Sequence, residues 1–265
     1  MKVRNPRSRF DLNIKKSDRV LEVGGGHNPH PRSNVVVDKF VDSNYHRSAN
    51  IKVLRNQQFM QADGENLPFK DKEFDYVICN QVLEHVENPA RFLSEQFRVA
   101  KRGYIETPSL LGELLTTRDS HKWLINEFNN RLYLVDKTLV DFEVNYNLTC
   151  VFQLYLPKHS IGFKIMERTH PNLLTARIEW EHEGFDYEIN PKDPEILKYF
   201  KTGWDDAWKD QFFPPRSMGG EFMASLRAFS EILWSVFKSK LLGKGDHTQY
   251  TENIKTGENP RSQNA

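Results

Sequence analysis

The chain has 265 residues and a formal charge of +1, from 37 lysines and arginines against 36 acids, so its charge calls for neither nucleic acid nor an anionic membrane as partner. This length can bury a core without disulfides, and the two cysteines, Cys79 and Cys150, belong to no CxxC or Cys/His motif. These features argue against structural zinc and favour a reducing, cytoplasmic location. The basic N-terminus lacks the apolar region of a secretion signal and no apolar run reaches about 18 residues, so neither secretion nor a membrane span is expected.

After an N-terminal extension over residues 1–18, five short apolar runs each end at polar or glycine residues: RVLEVGGG, NVVVDKF, FMQADGE, FDYVICN and GYIETPS. Such runs are typical of buried parallel strands. The clearest helix among them begins at Asn88-Pro89, an N-cap residue followed by proline, and stops at Lys101-Arg102-Gly103. The segment between Phe40 and Phe59 is polar and only weakly helical in pattern. The alternation predicts an α/β fold, a Rossmann-like, doubly wound, mostly parallel sheet.

Beyond Pro108 the pattern changes to paired strands. WLINEF and RLYLVDK flank Asn129-Asn130, which predicts a β-hairpin at the far edge of the sheet. RIEWEHEGFDYEI predicts a second hairpin around Glu183-Gly184. We therefore predict a main domain over residues 19–145, a smaller C-terminal α+β lobe over 146–245 and a disordered tail over 246–265, where aliphatic residues are almost lacking.

Two features of the lobe allow more than one interpretation. The aromatic residues Trp204, Trp208, Phe212 and Phe213 suit stacking on a sugar or an aromatic acceptor, although the core of a small lobe is the favoured interpretation. A helix predicted from Met218 to Leu242, with Gly243 to end it, must bury one apolar face. The apolar positions of that face are Phe222, Leu226, Phe229, Leu233, Val236 and Phe237. The lysines at its end, Lys238, Lys240 and Lys244, either complement the helix dipole, which is favoured, or make a peripheral membrane contact.

The strongest sign of a site is the strand Leu21-Glu22-Val23 running directly into Gly24-Gly25-Gly26. Glycine permits a sharp turn and a close approach of a ligand to the backbone, but a tight turn after a buried strand has equal weight. An acid at the end of the second strand, Asp38, can accept hydrogen bonds from both hydroxyls of a ribose and favours a nucleotide-like ligand. At the third strand, Asp63 can accept from an adenine amino group and Gly64 N–H can donate to a ring nitrogen.

The separated pieces LEVGGG, VVVD and ADGENLPFKDKEFDYVICNQVLEHVENPARFLSEQFRVAKRGYIETPS occur in the order that is typical of one family. Over about residues 19 to 109 the chain resembles class I S-adenosylmethionine-dependent methyltransferases of the type 11 subgroup. The cofactor residues that the resemblance implies are Glu22, Gly24, Gly25, Gly26, Asp38, Asp63, Gly64, Asn80 and Gln81.

Each of these residues has an implied place around the cofactor. Gly24 and Gly26 face the methionine part, Asp38 faces the ribose, and Asp63 and Gly64 lie beside adenine. Asn80 and Gln81 line the cleft near the sulfonium, and Glu22 orients the amino group or braces the loop.

The glycine loop departs from the family pattern. Only eleven residues separate Gly26 from Asp38, and they include Pro29 and Pro31. Prolines at this spacing leave room for a turn at most, so the usual helix is absent and HNPHPRSN covers the cofactor differently.

Methyl transfer from a sulfonium is an in-line displacement in which positioning supplies much of the rate, and no metal is required. An oxygen or nitrogen acceptor still benefits from a base. The candidates are Glu84, His85, Glu106, Thr107 and His121, and we predict catalytic roles for Glu84, His85 and Glu106 without choosing one base. A structural role, in hydrogen bonds to nearby backbone, is at least as well supported for His85.

The predicted function is methylation of oxygen or nitrogen on a small-molecule or glycan-like acceptor with S-adenosyl-L-methionine as cofactor. A non-catalytic cofactor-binding or regulatory protein on the same scaffold is the alternative, motivated by the shortened loop and the lack of a clear base. A nicotinamide oxidoreductase is a third hypothesis, weakened because the third glycine of a GxGxxG motif is missing.

Overall fold

The computed structural model describes residues 1–43, 45, 49–144, 148–201, 205–206, 209–210, 213 and 215–241, without the side chains of 238–241. The predicted tail, Gly243 and the aromatic residues Trp204, Trp208 and Phe212 lie outside these ranges. The described chain divides into two compact units, one of Met1–Thr107 with Arg177–Asp186 and one of Pro108–Ala176 with the residues from Tyr187 onward. A domain is a part of the chain that folds independently, and a division into compact units does not test that. The predicted domain boundary at residue 145 therefore stays a prediction.

The strands are β1 (Lys2–Arg4), β2 (Val20–Val23), β3 (Val35–Asp38), β4 (Gln58–Gln61), β5 (Tyr76–Asn80), β6 (Arg102–Pro108), β7 (Trp123–Phe128), β8 (Arg131–Asp136), β9 (Thr175–Glu181) and β10 (Tyr187–Ile189). The α-helices are α1 (Pro89–Val99), α2 (Leu110–Leu115), α3 (Leu156–His159), α4 (Ile161–Thr169), α5 (Pro194–Lys201) and α6 (Met218–Leu241). Short 3₁₀ turns cover Leu83–His85 and Lys137–Leu139, and a π-helical segment, Cys150–Tyr155, precedes α3.

The first unit is built on a seven-stranded sheet in the order β1-β9-β6-β5-β2-β3-β4. The five strands predicted from the apolar runs pair in parallel, which confirms the α/β fold with its mostly parallel sheet. Their central members are buried on both faces, as their continuous apolar runs require. The N-terminal extension adds a strand that the sequence does not indicate, because β1 pairs antiparallel with β9.

Helix α1 begins where the sequence predicts. Asn88 accepts a hydrogen bond from Arg91 N at 3.0 Å and Pro89 occupies the first helical position. Its apolar face buries Phe92, Leu93 and Val99. Between Gly26 and Val35 the described chain forms turns and no helix, as the two prolines predict, and the described residues from Phe40 to Gln57 are likewise non-helical.

The second unit contains the predicted β7–β8 hairpin. Asn129 and Asn130 both adopt positive φ, +48° and +65°, which matches a two-residue turn of the primed type. The placement of this hairpin at the edge of the main sheet was wrong, because β7 and β8 form a separate three-stranded sheet with β10 in the order β10-β8-β7. A core around Leu124, Phe128 and Val135 explains the placement, since their apolar side chains pack with α2 and α5 residues.

The predicted second hairpin, around Glu183-Gly184, was also wrong. β9 enters the main sheet, whereas β10 pairs in parallel with β8, with Tyr187 opposite Leu132. Residues 182–186 separate the two strands, with positive φ at His182 and Gly184.

The long C-terminal helix is confirmed as α6, but the face that it buries was predicted incorrectly. Ala228 and Ile232 are buried, whereas the six predicted positions, Phe222, Leu226, Phe229, Leu233, Val236 and Phe237, are exposed. The small side chain of Ala228 permits close packing, and α6 packs against α4. Phe213 is 45% exposed, with its ring beside that of His170. Among the helices that the structure describes, none has the length and apolar character that crossing a bilayer requires.

Candidate cofactor site

The carboxyl ends of β2, β3 and β4 lie side by side at one edge of the first unit's sheet. Gly24 N donates to Val37 O at 2.7 Å, and Ala62 N donates to Asp38 O at 3.2 Å. β5 lies on the other side of β2, so the chain order reverses between β2 and β5. Ligands of open α/β sheets bind outside the carboxyl ends at such a switch point.

The glycine loop is packed closely against the residues that follow β5. Gly24 has φ +72° and Gly26 has φ +52°, conformations that L-residues rarely adopt. A Cβ at Gly24 would overlap Val82 Cγ2, and one at Gly25 would lie 2.5 Å from Val36 Cγ1. Gly24 and Gly25 are therefore required by the packing of this edge of the sheet.

Glu22 braces this loop from below. The carboxylate is buried, and its Oε2 accepts hydrogen bonds from His30 N at 2.7 Å and from Ser33 Oγ at 2.8 Å. Burial raises the pKa of Glu22 above its ordinary value. Of the two roles that the resemblance implies for Glu22, these contacts support bracing.

The two acids of the edge differ in how they are engaged. Asp38 is partly exposed at the end of β3, and its Oδ1 accepts from Phe40 N at 3.0 Å. Asp63 pairs with Lys39 Nζ at 2.7 Å and accepts from Glu65 N at 2.9 Å. Burial works against ionisation of Asp63, but the hydrogen bond from Lys39 outweighs it and holds the pKa of Asp63 below its ordinary value.

Gly64 lies under helix α1. A Cβ there would be 2.5 Å from Phe92 Cε2 and 3.0 Å from Val23 Cγ1, and Gly64 O accepts from Gln96 Nε2 at 3.3 Å. The close packing of α1 on the sheet therefore accounts for a glycine at this position.

The end of β5 carries an acceptor whose environment points to a ligand. Asn80 Oδ1 is buried and has no hydrogen-bond partner among the described residues. Gln81 has φ +57°, its N donates to Glu106 O at 2.8 Å, and strained backbone of this kind concentrates at functional sites. A buried oxygen without a donor is costly unless a ligand or water completes it, so the edge fits a cofactor with a hydrogen-bond donor.

The predicted catalytic residues lie close to this edge but are largely occupied. Glu84 is buried and accepts from Thr107 Oγ1 at 3.1 Å, and His85 Nε2 lies 3.9 Å from Glu84 Oε1. Glu106 accepts from the Tyr104 hydroxyl, from Arg177 Nε at 2.9 Å and from Gln81 Nε2 at 3.4 Å. These three donors occupy Glu106, and the predicted catalytic role of Glu106 stays a prediction.

His121, the candidate base farthest along the chain, belongs to the second unit. There its Nδ1 lies 2.5 Å from Glu113 Oε2, and Lys137 Nζ lies 2.6 Å from Glu113 Oε1. Burial of Glu113 is outweighed by its hydrogen bonds with His121 and Lys137, which hold the pKa of Glu113 below its ordinary value.

Sequence reasoning did not identify the contribution of the N-terminal extension. Arg9 Nη2 donates to Asn28 O at 2.7 Å, and the ring of Phe10 stacks on that of His30 with centroids 5.5 Å apart. Arg9 Nε is buried without a hydrogen-bond partner in the described part of the chain. The pKa of His30 is lowered to about 4, mainly by burial and secondly by the nearby positive charge of Arg9. Arg9 thus places positive charge at the glycine loop. The basic composition of residues 1–18 is the only signal in the sequence that hints at this contact.

The segment from residue 36 to residue 105 matches a family described as a methyltransferase domain. It runs from β3 to β6 and confirms the resemblance drawn from the sequence motifs. The glycine loop lies just before the matched methyltransferase domain, and β2 pairs with its β3 and β5.

Curated relatives match parts of the chain. An uncharacterized protein of Methanocaldococcus jannaschii is 43% identical over 72 residues, which cover 25% of this chain and 35% of the relative. The ubiquinone/menaquinone biosynthesis C-methyltransferase UbiE of Pasteurella multocida is 30% identical over 103 residues, covering 34% and 38%. The malonyl-[acyl-carrier protein] O-methyltransferase of a Marinomonas species is 25% identical over 141 residues, covering 49% and 52%. The chain thus spans about a third to a half of the length of these relatives.

Proposed function

We propose that this chain is an enzyme that transfers a methyl group from S-adenosyl-L-methionine to an acceptor. The observation that carries the proposal is the methyltransferase domain of residues 36–105, whose strand ends lie beside the glycine loop. The buried Asn80 Oδ1 at that edge, which no donor in the described part of the chain reaches, supports it further. We also keep a cytoplasmic location in the proposal, in line with two free cysteines.

The residues that would hold the cofactor lie on the loops after β2, β3, β4 and β5. Asp38 would accept from ribose hydroxyls, and Asn80 would accept from a donor of the methionine part. Arg9, whose buried Nε has no hydrogen-bond partner among the residues that the structure describes, would donate to the carboxylate of the methionine part, since guanidinium and carboxylate form strong charge-assisted hydrogen bonds. The cofactor supplies a methyl group that is already activated on a sulfonium.

For the reaction itself, positioning is the main task of the protein. Val82 and the glycine loop form the edge against which the cofactor would lie, and they pack so closely that a Cβ at Gly24 would overlap Val82 Cγ2. Glu84 with His85 is the carboxylate and imidazole pair that we propose to take a proton from the acceptor. Glu106, which already accepts from three side chains, would instead hold the end of β6 in place.

The finer proposal concerns the acceptor. We propose an oxygen or nitrogen atom of a small molecule or a glycan-like compound, because such atoms gain most from a nearby base. Support comes from the second unit. It lies outside the matched segment, residues 36–105, so its side chains are additional to those of the matched methyltransferase domain. The relatives named above carry names for transfer to carbon and to oxygen, so the acceptor atom is the part of the proposal that most needs a test.

Calorimetric titration with S-adenosylhomocysteine tests cofactor binding directly. Asp38→Asn keeps an acceptor for Phe40 N but removes the charge, and we expect a loss of about tenfold or more in affinity, as for one charge-assisted hydrogen bond. Asp71→Asn, the same change at a side chain that is 79% exposed, is the matched control and should bind as the wild type does. No measurable binding by the wild type would refute the proposal.

Transfer of labelled methyl from S-adenosylmethionine to fractions of a cell extract tests the enzymatic step. Labelled product in a small-molecule or glycan fraction supports the finer proposal. Binding of the cofactor without transfer to any fraction supports the non-catalytic alternative instead.

A further inference from the structure

Helix α6 carries a row of large apolar side chains that the described protein leaves exposed. They are Met218, Phe222, Met223, Leu226, Phe229, Leu233, Trp234, Val236 and Phe237, and we call them the α6 apolar face. Their exposed fractions run from 37% at Phe229 to 88% at Met218. Single exposed apolar residues are ordinary on a protein surface, whereas a continuous set along one helix marks a surface that binds something.

The buried side of α6 is a different and narrower face. Ala228 and Ile232 lie four residues apart and are buried, and α6 packs against α4. At 100° per residue, the α6 apolar face spans an arc of about 160° that excludes both of these positions. The helix therefore carries apolar residues beyond its buried side, and the described residues of its own unit cover only that buried side.

A second copy of the chain is one possible occupant. Phe222, Leu226, Phe229, Leu233 and Val236 alternate at spacings of four and three residues, as in the seam of a two-helix coiled coil. Two observations disfavour this occupant. The next seam position is Lys240, and Met223 and Trp234 lie outside the seam, so a helix pair would leave both of them in water.

An anionic membrane surface fits the whole face. From Ile232 to Gly245 the sequence contains Lys238, Lys240 and Lys244 and no acid, so the stretch of sequence at and after the end of α6 carries positive charge only. Nearer the middle of the helix, Arg227 pairs with Glu231 Oε1 at 3.3 Å, so these two charges largely cancel. Tryptophan and phenylalanine settle at the level of the lipid headgroups, and amphipathic helices with lysines and such residues lie in the interface plane.

We propose that α6 is a membrane anchor that lies along the surface of an anionic bilayer, with the α6 apolar face in the headgroup region and the basic residues attracted to lipid phosphates. The proposal does not rest on the methyltransferase activity. It places the protein at a membrane surface as a peripheral protein.

Sedimentation of the full chain with vesicles tests the anchor. One set of vesicles is phosphatidylcholine, and the other is an equal mixture of phosphatidylcholine and phosphatidylglycerol. We expect clear binding to the mixed vesicles and weaker binding to the neutral ones. Each lysine near an anionic surface contributes about 1 kcal/mol, or about fivefold in affinity, so Lys238→Glu/Lys240→Glu should remove the preference for the mixed vesicles.

Variants of the apolar face separate the anchor from a nonspecific charge effect. Leu233→Asp/Trp234→Asp changes two exposed side chains and should abolish vesicle binding while the circular dichroism spectrum stays unchanged. Ser235→Asp, an exposed polar position between them and Val236, is the matched control and should keep most of the binding. Equal loss in both variants would contradict a role for the apolar face.

The mass of the protein in solution decides against the competing occupant. A monomer that binds mixed vesicles supports the proposal. A dimer that Leu233→Asp/Trp234→Asp converts to a monomer, with no vesicle binding by the wild type, would overturn it in favour of a second copy.

Discussion

Replacing Gly24 by alanine tests whether the glycine loop is fixed by packing. Two costs are expected. Alanine at φ +72° is strained by about 1–2 kcal/mol, and its Cβ would overlap Val82 Cγ2, which adds about 1–3 kcal/mol of overpacking because a β-branched side chain has few rotamers to escape to. The sum, about 2–5 kcal/mol, is a large part of the stability of an ordinary domain.

The second substitution Val82→Ala separates the two costs. In Gly24→Ala/Val82→Ala the overlapping methyl is gone, so the overpacking should disappear while the strain of about 1–2 kcal/mol remains. Urea unfolding of the four proteins gives the coupling energy, and calorimetry with S-adenosylhomocysteine reports the effect on binding.

Gly162→Ala is the control for the loss of a glycine. A Cβ there would meet only Ser160 Oγ, at 3.9 Å, at the second position of α4, so this variant should be as stable as the wild type or more stable. If Gly24→Ala lost less than about 1 kcal/mol, or if Val82→Ala gave no relief, the argument that packing holds the loop would be refuted.

Other predictions concern single side chains. Arg9→Ala should weaken binding of S-adenosylhomocysteine about tenfold but leave 5′-methylthioadenosine, which lacks the carboxylate, unaffected; Arg7→Ala on the same extension is the control, and equal losses for both ligands would contradict the proposed contact. The fold lowers the pKa of Glu113. The stability that Glu113 contributes is therefore fully present at pH values above 4.5, the ordinary pKa, and is lost as the pH falls through the lower pKa of the folded state. Glu113→Gln should therefore cost about 3–5 kcal/mol at neutral pH and flatten the acid limb of the urea-unfolding profile; an unchanged limb would show that the pair with His121 does not matter. Gly103→Ala would place a Cβ 2.6 Å from the buried indole of Trp180 and should lower stability by about 1–3 kcal/mol. A urea-unfolding midpoint equal to that of the wild type would mean that the sheet can shift to accommodate the methyl group.

The sequence predicted the elements whose signals are local. The parallel strands follow from apolar runs that are buried on both faces, and the start of α1 follows from the Asn88 cap and Pro89. The Asn129-Asn130 turn follows from residues that tolerate positive φ. In each case the residues that carry the signal are those that form the element.

The errors concern partners that are distant in the sequence. The pairing of β10 with β8 places Tyr187 opposite Leu132. No local sequence pattern specifies which strand of the protein will pair with β8. For α6, the side that packs holds the small residue Ala228, whereas the hydrophobic pattern favours the larger residues opposite. The burial of Arg9 Nε at the glycine loop depends on where residues 1–18 fold, which composition does not encode.

The sheet of the first unit is closed by strands from the two ends of a long stretch of chain. β1 begins at the second residue, and its neighbour β9 ends at Glu181, after most of the second unit has been made. During synthesis one edge of β6 therefore stays unpaired until Arg177–Glu181 leaves the ribosome. Strand pairing over such a long sequence separation is slow. A fragment that stops before Arg177 would keep that edge exposed, so folding intermediates of this protein should be most prone to aggregate just before β9 arrives.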